Sequence, residues 1–536
     1  MKTLYPLTLI FLFSLSLSAF EIRDKKKDPK PVSTSAKSNT NNESSDRVVV
    51  DTEILNDFFT RYDDLKKYKK EVNELYKNRS YDAIWYKNNK VTDFGKVLYQ
   101  KLKLTDEEGL HIEIPYESEI DKIFNKRQSK KVSKSDSDML LSAAYLIYMK
   151  NVYEGIDAES VKKTGWMVPK KKLSYTTMLD SLISDPDLMQ TKNVLLIDQY
   201  YKLQDALKKY RKIEHDHLWK TITTESPYQD LRPDANSPVI GQVRNRLFVM
   251  GDLKKDSKSN FYDRELMDGV MKYKVRNGFK PNYIIAEEHI KDLNTPISDK
   301  IKTLMINMER CRWISPQIVN NNTYIMVNVP SFELDYVKNG KKELVSQVFV
   351  GAQLTKTPIF SGDIDRVVFS PYWTVPQSIV DNELKLKIAA DKNYLADHNM
   401  EMVNGQVRQK PGPENSLGLV KFMFPNPDDI YMHDTPSKTL FDFEKRTFSH
   451  GCINVKKAKE LAVALLKDYP EWNSSKIDQA MDGKKETTFK LKNTVPIYIC
   501  YFTTWVNDDG EIGFFQDVYD RDTELNKILF TQETEI

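Results

Sequence analysis

A chain of 536 residues carrying 80 lysines and arginines against 77 aspartates and glutamates has a formal charge of only +3. It lacks any arginine-rich block or basic-aromatic interleaving that would track a phosphate backbone, which argues against nucleic acid as a partner. The length exceeds what one hydrophobic core organises and implies about three or four domains, and three cysteines are too few for a disulfide framework, so at least one thiol stays free.

Residues 1–20, MKTLYPLTLIFLFSLSLSAF, place a lysine before an apolar stretch that runs to about Leu17, with small residues at Ser16, Ser18 and Ala19. This is the layout of a secretory signal, so export is expected. The apolar run approaches the roughly 17 residues that span a bilayer, which keeps an uncleaved N-terminal anchor and membrane association open. Residues 21–46 are polar and rich in Lys, Ser, Asn and Pro, the composition of a disordered tether.

From 47 to 222 apolar residues recur at three- and four-residue spacing, as in ILNDFFTRYDDLKKY and SDMLLSAAYLIYMKNVYEGI, which predicts an all-helical scaffold. His215 and His217 lack a third ligand at recognisable spacing, so no metal site is assigned and no cofactor is expected. Residues 228–300 read as a turn, a helix, a loop and two more helices, with Val239, Val243, Leu247, Leu266, Val270 and Tyr273 as apolar positions. On those residues the segment resembles the three-helix peptidoglycan-binding fold. The glycine-rich stretch usual in that family is here Asn282, Tyr283, Ile284 and Ile285, so wall binding and a purely structural role both stay open.

Residues 301–320 form a connecting helix. From 321 to 506 the period switches to two, with strands around the turn dipeptide Asn339-Gly340 and further strands at DRVVFSPYW, LVKFMF, DIYMHD and VPIYICYFTTWV. The segment from about 377 to 415 interrupts these strands, and a loop of that length usually serves function as a lid. Residues 507–536 close the chain. The fold class is therefore multidomain α+β: a helical scaffold, a three-helix domain and a mostly-β domain.

Chemistry concentrates in that last domain. Cys311 and Cys500 lie in apolar settings, where cysteine behaves as a small hydrophobe. Cys452 instead sits in the polar string Ser449-His450-Gly451-Cys452-Ile453-Asn454, and His433 lies nineteen residues upstream in IYMHDTP. A thiol with a separately supplied imidazole is the minimum apparatus for acyl transfer through a thioester. Apolar residues from Val455 to Leu466 predict a helix capped by Asn454, whose N-terminus would lower the Cys452 pKa. The amides of Gly451 and Cys452 would then receive an oxyanion, and the Asp434 region, by its carbonyl or its side chain, would orient His433.

The pair of strings IYMHDTPSKTLF and FSHGCINV resembles the L,D-transpeptidase motif: a histidine, a variable loop, then Ser/Thr-His-Gly-Cys, an apolar residue, and Arg or Asn. YIMVNVPSFEL, VFVGAQLTKTPIFSG and VPIYICYFTTWV extend the likeness to the large periplasmic, multidomain L,D-transpeptidases over residues 47 to 520. The resemblance implies Cys452 as nucleophile, His433 as general base, His450 and Gly451 as shapers of the nucleophile loop and oxyanion site, and Ser449 as a hydrogen-bonding brace. Asn454 stands where arginine is common, and Tyr372, Trp373, Met423, Phe424 and Tyr431 become substrate walls. It further implies peptidoglycan tetrapeptide stems as donor and acceptor, a 3→3 cross-link as product, carbapenem acylation of the same cysteine, a periplasmic location and association with other wall enzymes. Water or a protein amine as acceptor would make the chain a carboxypeptidase, a cross-link hydrolase or an anchoring enzyme instead. A non-catalytic wall-binding protein is the remaining alternative.

Overall fold

The computed structural model describes residues 48–530 except 49, 126–131, 190, 192–194 and 321. The expected leader and tether lie outside the described residues. Among the described residues no helix is long and apolar enough to cross a membrane.

Helix Lys134–Tyr148 runs through the centre of the helical part with residues 136–148 all buried. Its polar side chains must find partners inside the protein. Asp138 accepts from the Tyr76 hydroxyl (2.6 Å) and from the amides of Ile84 (3.0 Å) and Trp85 (2.8 Å). Helix Asp198–His215 packs on helix Ile297–Trp313. Between those two the chain makes a separate three-helix unit, Pro238–Met250, Arg264–Arg276 and Glu287–Leu293, around its own core of Val243, Leu247, Leu266, Val270 and Leu293. Its first helix starts with Ser237 accepting from the Val239 amide and Pro238 in the first turn, and ends at Gly251 with φ +97°, where a residue lacking Cβ closes the last turn without strain.

The remaining chain builds a nine-stranded sheet. Its strands are β1 Tyr324–Asn328, β2 Glu333–Lys338, β3 Lys341–Gly351, β4 Ser361–Phe369, β5 Val420–Met423, β6 Met432–His433, β7 Thr447–Ser449, β8 Ile453–Val455 and β9 Thr487–Cys500. The order is β7-β3-β8-β6-β5-β4-β9-β1-β2, and β2 also pairs with β3, so the sheet closes on itself. The β2–β3 turn uses Asn339 (φ +51°) and Gly340 (φ +74°), the two positive φ values that match strand twist in a tight hairpin. Alternation sets the faces. Val420 and Phe422 are fully buried in the core, while Lys421 and Met423 between them are only partly covered and point the other way.

The interrupting segment is not an open loop. It holds short helical stretches from Gln377–Ile379 to Tyr394–Asp397, then a hairpin, Met400–Val403 with Gln406–Gln409, that pairs with Trp373–Thr374. Val375, Ile379, Leu384, Met400 and Val407 form its own small core. These elements are too short to register as periodicity in the sequence, which is why the segment reads there as a loop.

Candidate active site

Cys452 lies in the loop between β7 and β8. Ser449 Oγ spans that loop, donating to the Cys452 carbonyl (2.6 Å) and accepting from the Gly451 amide (3.2 Å). Gly451 has φ +118°, and a Cβ there would stand 3.3 Å from Ile430 Cδ1, so both backbone and space call for glycine. From beneath, Thr355 Oγ1 donates to the Ser449 carbonyl (2.9 Å) and Thr357 Oγ1 to the Gly451 carbonyl (2.8 Å). The Tyr519 hydroxyl donates to the Gly351 carbonyl (2.7 Å) and accepts from the Thr357 amide (3.2 Å). Nothing local in the sequence marks Thr355, Thr357 or Tyr519, because they reach the loop only through the fold.

His433, on β6, is buried. Its Nδ1 lies 2.5 Å from the Asp434 carbonyl, which can only accept, so Nδ1 holds the proton and Nε2 is left as an acceptor. Of the two orienting groups expected at Asp434, the carbonyl acts. The carboxylate instead accepts from the Leu419 amide (3.0 Å) and the Lys438 ammonium (2.5 Å). Burial pulls the imidazole down to about 4, aided by the Lys421 charge and opposed by the Asp434 carbonyl and carboxylate and by the Leu417 carbonyl. At neutral pH the ring is uncharged.

Parallel pairing of β6 and β8 sets Met432 opposite Ile453 and His433 opposite Asn454, and the Ile453 amide donates to the Tyr431 carbonyl (3.1 Å). Cys452 therefore enters β8 beside Tyr431, on the strand next to His433. The thiol is half-buried and lies 4.0 Å from the Asp429 carbonyl, with no hydrogen bond to His433 among the described residues. Burial pushes the thiol above its ordinary pKa, with the Tyr431 amide and hydroxyl pulling the other way. Cys311 and Cys500 are also free, are fully enclosed, and are pushed up by burial, Cys500 to about 12.

Several expectations are corrected by this geometry. Asn454 caps no helix: it is buried within β8, and the helix runs Ala458–Leu465 with Lys457 at its N-cap. The ladder between β6 and β3 draws Ile453–Val455 into the sheet, and Val455, counted from the sequence as first-turn helix, belongs to it. Cys452 thus has no helix end to ionise it, and the resting pair is a neutral thiol and a neutral imidazole. The Gly451 amide, expected at the oxyanion site, is engaged by Ser449, and among the described residues no hydrogen bond engages the Cys452 amide. The exposed His450 ring faces the 377–415 segment, with Nε2 2.7 Å from Glu383 Oε1.

The expected walls divide. Tyr431 stands 5.7 Å from the His433 ring. Tyr372 lies under the Arg408 guanidinium (4.2 Å) and its amide donates to Glu486 (2.9 Å), while Trp373 pairs with Gln409 of the cover. Met423 is partly exposed. Phe424 is 1% exposed and packs in the core against Phe360 (6.0 Å), so it lines no cleft. Lys421, directly opposite His433 across β5 and β6, was missed by the sequence reading. Strand alternation through VKFMF was the signal for it. Among the described residues no cluster of histidines, cysteines and carboxylates is placed to hold a metal ion.

Residues 322–484 match the family model of the L,D-transpeptidase catalytic domain, and residues 70–207 that of a scaffold domain. The resemblance to L,D-transpeptidases holds. A Haemophilus influenzae protein provisionally named an L,D-transpeptidase is 32% identical over 250 residues, 43% of this chain and 50% of that protein, so the chain spans about half the length of this relative. Among solved structures, an L,D-transpeptidase from Stackebrandtia nassauensis matches at 13% identity and a TM-score of 0.20, over 52% of this chain and 97% of the other. One from Mycobacterium smegmatis matches at 10% identity and a TM-score of 0.19, over 33% of this chain and 58% of the other. The L,D-transpeptidase-type domain thus coincides with the sheet that carries Cys452 and His433, and the scaffold match with the helical part.

Proposed function

We propose that this protein is a periplasmic peptidoglycan L,D-transpeptidase that forms 3→3 cross-links through a thioester at Cys452. The observation that carries the reading is the placement of Cys452 immediately before β8 and of His433 on the adjacent parallel strand β6, with His433 held by the Asp434 carbonyl in the tautomer whose Nε2 accepts a proton. A donor tetrapeptide stem presents the carbonyl of its third residue to Sγ. His433 Nε2 takes the thiol proton as the C–S bond forms, and the Cys452 amide faces the developing oxyanion. The C–N bond then breaks, and His433 returns the proton to the amine of the leaving D-alanine. The side-chain amine of an acceptor stem attacks the thioester, its proton passes to His433, and the thiol is regenerated. Because both groups rest uncharged, proton transfer belongs to the substrate-bound state, where the cover over residues 377–415 excludes water that would hydrolyse the thioester. Carbapenem acylation of Cys452 would follow the same course.

The test is mass spectrometry of purified disaccharide-tetrapeptides incubated with wild type and with Cys452→Ala. The expected result is a cross-linked dimer and a transient thioester adduct in wild type, both absent in the variant. Tripeptide monomer alone would redirect the reading to hydrolysis, and unchanged substrate in both would refute it.

A further inference from the structure

Lys421 is a cation beside His433 that the reaction just proposed does not use. It lies directly across the β5–β6 ladder from His433, so the two side chains leave the sheet on the same face. The Lys421 side chain is 17% exposed, and its Nζ stands 5.9 Å from the Tyr431 ring. Among the described residues its ammonium has no hydrogen-bonded acceptor. The Glu486 carboxylate stands 4.0 Å away, at the limit of an ion pair, with Oε2 already accepting from the Tyr372 amide. Other charges near this ladder are engaged elsewhere: Arg366 by Asp365 (2.8 Å), Arg408 by Glu401, and the Asp434 carboxylate by Lys438. A largely buried ammonium whose nearest carboxylate stands 4.0 Å away is incompletely compensated and gains from a closer anion.

The position of the cation selects the anion. In the proposed reaction His433 returns its proton to the amine of the departing residue, and in a tetrapeptide that residue carries the chain-terminal carboxylate two bonds from the same nitrogen. The cross-strand neighbour of His433 therefore stands on the leaving-group side of the scissile bond. We propose that Lys421 binds the terminal carboxylate of the donor stem, making the cleft selective for a stem that ends one residue beyond the bond to be broken. This rests on the transpeptidase reading above. Lys421 is a specificity-determining residue in this role, and its charge also helps keep His433 unprotonated.

The experiment compares thioester formation on Cys452 by a tetrapeptide and by its C-terminal carboxamide, in wild type, Lys421→Met and Lys421→Arg. Wild type is expected to favour the free acid by about tenfold in kcat/KM, through KM. Lys421→Met loses that preference while still acylating, and Lys421→Arg retains most of it. An undiminished preference in Lys421→Met, or no preference in wild type, overturns the proposal while leaving the transpeptidase reading intact. Absence of any thioester in wild type refutes the transpeptidase reading, and this proposal with it. Circular dichroism of the variants separates a folding defect from lost selection. Should Lys421→Met misfold, the carboxamide comparison in wild type and Lys421→Arg decides alone: a preference in wild type absent from a folded Lys421→Arg overturns the proposal.

Discussion

The protonation of His433 depends on what surrounds it more than on what it is. The unfolded ring titrates near 6.5, the folded ring near 4 because it is buried. As pH falls, the unfolded chain binds its proton first, so the stability contributed by the neutral ring is complete above about 6.5 and is lost progressively toward 4. The shift corresponds to about 3 kcal/mol in total. In urea unfolding at pH 7 and pH 4.5, wild type should lose about 2 kcal/mol more than His433→Gln, which has no titrating ring. Equal losses in the two proteins would contradict the assignment. At this scale the identities of Cys452 and His433 were legible, since a histidine and an SHGC string survive any reading of the chain. Their charge states were not. Those depend on the Asp434 carbonyl, on Lys421 and on burial, which only the assembled sheet supplies.

Among elements, the cover, residues 377–415, touches the nucleophile loop through His450 Nε2 and Glu383 Oε1, and both side chains are about half exposed. Exposed pairs contribute roughly 0.2–1 kcal/mol, so this contact biases the cover toward the loop without locking it. Removing the carboxylate by Glu383→Gln should raise the rate of Cys452 alkylation at fixed pH by at most about fivefold, the exponential of that energy. Alkylation of Cys311 and Cys500 should be unchanged, because both are sealed in the core. A Cys452 rate that stays the same would show that the contact does not hold the cover. The element scale is also where the sequence misled. The apolar stripe from Val455 onward is a real helical pattern, yet its first residue pairs into the sheet with Val348 of β3, far away in the chain. Local propensity lost there to long-range pairing, whereas the hairpin at Asn339-Gly340 was readable because its partners are adjacent.

Across the whole molecule, the end of the described chain reaches back to the nucleophile. Arg310 of helix Ile297–Trp313 and Thr503 both donate to the Asp522 carboxylate, at 2.6 Å each, so helix Arg521–Phe530 is fastened to the helical part. Just before it, Tyr519 accepts at its hydroxyl from Thr357 and donates to Gly351, and Thr357 in turn holds Gly451. The described part of the C-terminal segment, residues 507–530, thus buttresses the floor of the active-site loop through Tyr519. Tyr519→Phe keeps the ring and removes the hydroxyl, leaving the buried Gly351 carbonyl and Thr357 amide without that partner at a cost of about 1–3 kcal/mol. Spread over a chain of this size, such a loss shifts the midpoint of thermal unfolding by only a few degrees. Its local effect is larger, because the two hydrogen bonds that run from Tyr519 through Thr357 to Gly451 hold the Cys452 amide and thiol in a fixed relation. Acylation of Cys452 by a tetrapeptide donor should therefore slow by about tenfold in kcat with little change in KM. A Tyr519→Phe enzyme with native kcat would mean that the loop keeps its geometry through Ser449 and Thr355 alone.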